Sequence, residues 1–185
     1  MLEHYGKNIS ISFPPLQPRH RRNPRRQPQR QRLRCLLLVP EETDIPLTER
    51  CRRVNEICSI YGKENVILIS IHANAYGNGK EWTVPSGWSV YTTKGQTQSD
   101  AITDQLAIAA AKNLPQMNLL TDHSDGDADY EENFHLLRHT LCLAVLTENG
   151  FYTNRQDLQL LESHTGRRVI TDLHVEGIIE YILSL

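Results

Sequence analysis

Apolar residues fall along this chain in short runs separated by polar stretches. Leu36-Leu37-Leu38-Val39 predicts a buried strand. The period then changes: Leu47, Cys51, Val54 and Cys58 share one face of a helix that Pro46-Leu47-Thr48 opens and that runs to about Ile60. After the breaker pair Tyr61-Gly62, Val66 to Ile71 is short, rich in β-branched residues and apolar on both sides, so it predicts a second buried strand. Asn78 to Ser86 reads as a polar loop carrying Gly79, Trp82 and Pro85, and Trp88 to Thr92 alternates as a half-buried strand does. Ser99-Asp100 starts a helix with Ile102, Leu106, Ala109 and Ala110 inward, ending before Pro115. An acidic loop from Thr121 to Asn133 leads to an apolar strand, Leu143 to Leu146, that ends at Glu148. Two helices follow, roughly Arg155–Ser163 and Arg167–Leu183, the last amphipathic through Ile170, Leu173, Ile178 and Ile182. Strands alternating with helices predict a three-layer α/β domain, an open sheet of mostly parallel strands with helices on both faces.

Length changes this picture little, since 185 residues hold one domain with one sizeable core. Charge changes it more. The net charge of −2 conceals a split: residues 1–40 carry Lys7 and eight arginines against Glu3 alone, and the remainder is strongly acidic. Residues 1–34, broken by five prolines and without an apolar face, read as a disordered or non-native basic segment; 35–185 is the domain. With only Tyr5 and Phe13 as aromatics there, specific nucleic-acid binding is not expected. No stretch approaches the roughly 20 apolar residues of a membrane span, and residues 1–16 lack the apolar run of a signal peptide. Cys35, Cys51, Cys58 and Cys142 form no metal-binding spacing and read as small buried residues.

Two residues stand out chemically. His72 and Glu148 each follow an apolar strand, and neighbouring parallel strands bring such ends to one edge of a sheet, where open α/β folds bind their ligands. A neutral imidazole holds zinc, and a carboxylate that is not a ligand takes a proton from metal-bound water. Asn74 is a candidate to orient His72 or the loop after it. Other groups point less clearly to a site. Asp122, His123, Asp125, Asp127 and Asp129 lack the calcium-loop spacing. His135 and His139 share a helix face without the glutamate of H-E-x-x-H, and His164 and His174 sit in surface-type helical context.

Ser70-Ile71-His72-Ala73-Asn74-Ala75 and Leu146-Thr147-Glu148-Asn149-Gly150-Phe151-Tyr152-Thr153-Asn154, in this order, resemble the zinc-dependent N-acetylmuramoyl-L-alanine amidases of the type-3 family. The similarity runs from about Leu36 to the C-terminus. It implies that His72 binds zinc, that Glu148 is the general base, and that the chain hydrolyses the amide between N-acetylmuramic acid and L-alanine of peptidoglycan. It also implies action at the cell wall, in the periplasm or outside the cell.

The chain departs from the family at its N-terminus. The family's Gly-His-Gly loop and the glutamate before its first helix have no counterpart here, so the usual first strand and helix are expected to be missing. Glu3, beside His4, is the candidate for a displaced glutamate ligand; His20, among arginines, is a poor substitute for the histidine. Read one nucleotide later, codons for Gln31-Arg32-Leu33-Arg34-Cys35 permit Asn-Gly-Tyr-Asp-Ala, a sensible lead into the strand at Leu36. A shifted reading frame would account for the clustered Arg, Pro and Gln. The alternative expectation is an impaired amidase-like module that binds peptidoglycan without a complete zinc site.

Overall fold

The structure, a computed structural model, describes residues 7–12 (backbone only), 33–95, 97–124 and 126–185. Among the described residues, six strands make one open sheet: β1 (Lys7–Ser12), β2 (Arg34–Leu37), β3 (Val66–Asn74), β4 (Trp88–Thr92), β5 (Tyr130–Glu131) and β6 (Leu143–Phe151). Five α-helices and a single 3-10 turn (Lys63–Asn65) accompany them among the described residues: α1 (Leu47–Tyr61), α2 (Asp100–Asn113), α3 (His135–His139), α4 (Arg155–Glu162) and α5 (His164–Ser184). The spatial order is β2-β1-β3-β6-β4-β5.

The open α/β sheet with helices on both faces is as expected, but its strands are mixed. β3–β6 and β4–β5 are parallel, whereas β1–β2, β1–β3 and β4–β6 are antiparallel. Part of the difference arises in a segment left outside the fold by the sequence reading: Lys7–Ser12 forms a strand between β2 and β3. The predicted strand at Leu36–Val39 also moves. β2 starts at Arg34, and as an end strand of the sheet it is exposed throughout; Leu38, just beyond it, is the residue that reaches the core.

Alternation along the two central strands divides the core. Ile67, Ile69 and Val145 face α2 and α5, while Val66, Leu68, Ala144 and Leu146 face α1 and α3. On α1, Cys51, Val54 and Cys58 are buried as their spacing predicts, but Leu47, in the first turn, is exposed. α2 buries Ile102, Leu106, Ala109 and Ala110. It packs tightly on α5 because Gly177 lacks a side chain: a Cβ there would lie 2.9 Å from the Leu106 Cα. His174 of α5 is buried, not on a surface. Among the cysteines, Cys51 and Cys58 are buried, Cys142 is half-buried and Cys35 is exposed, and all four are free thiols. No helix among the described residues is long and apolar enough to cross a membrane.

Candidate active site

The two central strands run side by side in parallel, and the register sets His72 opposite Glu148. Directly paired residues project to one face of a sheet, here the face covered by α1 and α3. A register irregularity between His72 and Asn74 ends the regular pairing just beyond them. On the other side of Glu148 the antiparallel β4 places Ser89. His72, Glu148 and Ser89 therefore form a polar row across three strands, where the apolar pattern of Leu68, Leu146 and their neighbours stops.

Burial shapes the chemistry of both principal residues. Glu148 is held up to about 7 by removal of its carboxylate from water. Its Oε2 is buried and has no hydrogen-bond partner among the described residues. His72 is held down to about 4, first by burial and then by the positive charge of Arg50 on α1, so it is a neutral imidazole at neutral pH. Its Nε2 lies 2.8 Å from Ser70 Oγ. A neutral imidazole beside a carboxyl poised near 7 supplies a metal-ligand nitrogen and a proton acceptor in one place.

A buried polar chain on the opposite face fixes these strand ends. Asn149 Nδ2 donates to the His72 carbonyl at 3.0 Å and to Thr147 Oγ1 at 3.1 Å, and Asn149 Oδ1 accepts from Trp88 Nε1 at 2.9 Å. His174 Nδ1 donates to Ile170 O at 2.6 Å, which leaves Nε2 to accept from the Thr147 hydroxyl at 2.8 Å. Asn149 thus ties β3, β6 and β4 together directly beneath His72. Sequence reading missed it, because an Asn-Gly pair ending a strand reads as a turn signal.

Asp157 was missed for a similar reason. Its buried carboxylate accepts from Phe151 N at 2.8 Å, Gly87 N at 3.2 Å and Ser86 Oγ at 2.7 Å. The sharp exit of β6 that allows this passes through Gly150 at φ 98°. Asn74, expected to orient His72 or the following loop, accepts from Ala75 N at 2.8 Å through its side chain and from Tyr152 N at 2.8 Å through its carbonyl. The polar side-chain atom found at the His72 ring is that of Ser70.

The described residues fit one corner of a zinc site. His72 is a neutral nitrogen ligand, and the unpartnered Glu148 Oε2 suits a carboxylate awaiting a water; two further ligands are not found with them. Glu3 and His20 lie outside the described residues. Asp100, Asp127 and Asp129 bring carboxylate oxygens within 4.8 Å of one another. Asp129, however, accepts from Thr103 of α2 at 3.0 Å and from Thr92 at 2.5 Å, on the face away from His72. The acidic loop is therefore partly inside the fold: Asp129 is 2% exposed. His135 and His139 stack with ring centroids 4.1 Å apart.

The family model described as N-acetylmuramoyl-L-alanine amidase (Amidase_3) matches residues 26–180. The chain belongs to this amidase family, whose members hydrolyse peptidoglycan. Solved structures agree on the fold. An N-acetylmuramoyl-L-alanine amidase from Clostridium difficile 630 is similar with a TM-score of 0.63 and 23% identity, over 78% of this chain and 69% of that one. The CwlD amidase from Clostridioides difficile, in complex with the GerS lipoprotein, gives 0.58 and 21% over 75% and 64%. The catalytic domain of the amidase CwlV from Bacillus (Paenibacillus) polymyxa var. colistinus gives 0.56 and 23% over 80% and 71%. This chain thus spans about two thirds of the length of these amidases. No curated protein matches the sequence.

Proposed function

We propose that this chain hydrolyses the amide joining the lactyl group of N-acetylmuramic acid to L-alanine, with Glu148 as proton acceptor and His72 as one ligand of a zinc ion. The observation that carries the reading is the buried, unpartnered Glu148 Oε2, held near 7 and in register with a neutral His72. Zinc, when bound, polarises the scissile carbonyl and lowers the pKa of its water toward about 7. Glu148 then takes the proton of the attacking water at Oε2. As the C–N bond breaks, it hands that proton to the departing amine, leaving a lactyl carboxylate and a free alanine N-terminus. Ser70 steadies the imidazole, and Asn149 holds the backbone that presents it. Glu3 remains a proposed second ligand. The work place of such an enzyme is the wall, in the periplasm or outside the cell.

Release of free amines from purified peptidoglycan tests the reading. Glu148→Ala should reduce it at least about a hundredfold, and unchanged release removes Glu148 from the mechanism. Metal analysis should find about one zinc per chain, lost in His72→Ala. Among the described residues a single imidazole joins Glu148, which favours a second reading, a wall-binding module. Its signature is co-sedimentation with peptidoglycan, without amine release and without stoichiometric zinc.

A further inference from the structure

The segment from Ala75 to Gly87, between β3 and β4, carries large side chains into solvent. Trp82 is 51% exposed and Tyr76 58%. Exposed aromatics on a floppy loop would mean little, but this loop is bolted down. Thr83 N donates to Thr153 O at 2.9 Å, and the two threonine hydroxyls meet at 3.0 Å. Tyr76 N donates to Thr153 Oγ1 at 3.1 Å, Asn154 Nδ2 donates to Val84 O at 3.0 Å, and Ser86 and Gly87 close onto Asp157. These partners are Thr153 and Asn154, at the exit of β6 beyond Glu148, and Asp157, in the first turn of α4. Thr153 is five positions beyond Glu148, so the two are at most about 18 Å apart.

The indole itself is held in one orientation. The Arg155 guanidinium, on the first residue of α4, sits over the Trp82 ring at 4.4 Å from its centroid. One indole face is thus taken by a cation, and the exposed surface belongs to the rest of the ring. We propose that the free face of Trp82, backed by Arg155, is a sugar-stacking platform that holds the glycan strand of peptidoglycan beside the His72–Glu148 edge. The inference rests on the peptidoglycan reading given above.

Three features select sugar over the other parts of the polymer and over a protein partner. An aromatic face carries negative potential, which attracts the polarised C–H groups on the flat side of a pyranose. With Arg155 on one side, the indole offers a single planar surface, the size of one ring. Around it the loop is mixed: Asn78, Lys80, Glu81 and Thr83 are polar, and the exposed Tyr76 and Val84 are single side chains rather than the broad apolar core of a protein interface.

The chain has two tryptophans, and Trp88 is fully buried, so a ligand-induced change in intrinsic fluorescence reports Trp82. Peptide-free glycan oligomers, titrated into the full chain, should change that emission, and stem peptide alone should not. Trp82→Ala should weaken glycan binding measured by calorimetry about tenfold, as loss of one aromatic contact does, while Trp82→Tyr restores most of it. On polymeric peptidoglycan Trp82→Ala should raise KM by a similar factor at unchanged kcat, with a single muramoyl-dipeptide cleaved as by the parent. No response to glycan, a response to stem peptide alone, or equal losses on polymer and dipeptide would each overturn the platform. Glycan binding needs no turnover: a chain that binds glycan without cutting defeats the hydrolase reading and leaves the platform standing. A chain that cuts without a Trp82 response does the reverse.

Discussion

Glu148 illustrates how one buried residue serves reactivity against stability. Its pKa is raised from 4.5 to about 7, so the folded protein binds more protons than the unfolded chain between those values, and stability falls as pH rises through that window. His72 and His174 act oppositely. Both are lowered from 6.5 to about 4, so stability falls as pH drops through that range. One carboxyl against two imidazoles leaves the parent's stability rising between about pH 4.5 and 6.5 at roughly half the slope that the histidines alone give. In metal-free protein, Glu148→Gln should remove the Glu148 component and gain roughly 2–3 kcal/mol above pH 7. Its stability should then rise monotonically from pH 4 to 6.5 and level off. Urea denaturation across pH checks this, and a slope in the variant no steeper than the parent's would show that Glu148 is not ionised against a burial cost.

At the scale of elements, the central strands depend on polar groups that no periodicity reveals. Asn149→Leu leaves the Trp88 indole N–H and the His72 carbonyl without their partner, which should cost roughly 2–4 kcal/mol. The same substitution should reduce zinc affinity through His72, separating a positioning role from a purely structural one. Between α2 and α5, Gly177→Val forces atoms into the Leu106 backbone and should cost about 2–3 kcal/mol or more, read as a lowered Tm. The juxtaposition of His72 and Glu148 was legible because each apolar run stops at a titratable residue, but the strands run on past them, β3 to Asn74 and β6 to Phe151, where pairing continues without an apolar pattern to mark it. Asn149, Asp157 and His174 were not, because their partners are distant in sequence and a polar residue on a turn or helix looks solvated until its donors are placed. Leu47 and Cys35 failed in the opposite sense: apolar type predicted burial, but one sits at a helix start and the other on an end strand.

At the scale of the whole molecule, the chain departs from the family pattern in its N-terminal segment. The family pattern places two ligands where this chain carries arginines and prolines. If those residues arise from a shifted frame, the chain with the frame restored should hold its one zinc more tightly than the present sequence does. Metal analysis of the two side by side decides it; equal stoichiometry and affinity would show that the native ligands are already present. The α/β architecture was readable because alternating strands and helices leave few ways to bury both sheet faces. The direction of the outer strands was not, since pairing with Lys7–Ser12 involves a segment whose composition argues against structure.

The exposed thiol on β2 has a practical consequence. Burial raises the pKa of Cys51, Cys58 and Cys142, which slows their reaction with alkylating reagents. Cys35 stands level with Ile67 across β1, five residues and about 16 Å along the sheet from His72. A maleimide dye should therefore attach at one position, far enough from the reacting edge to follow the molecule on a cell wall without blocking it.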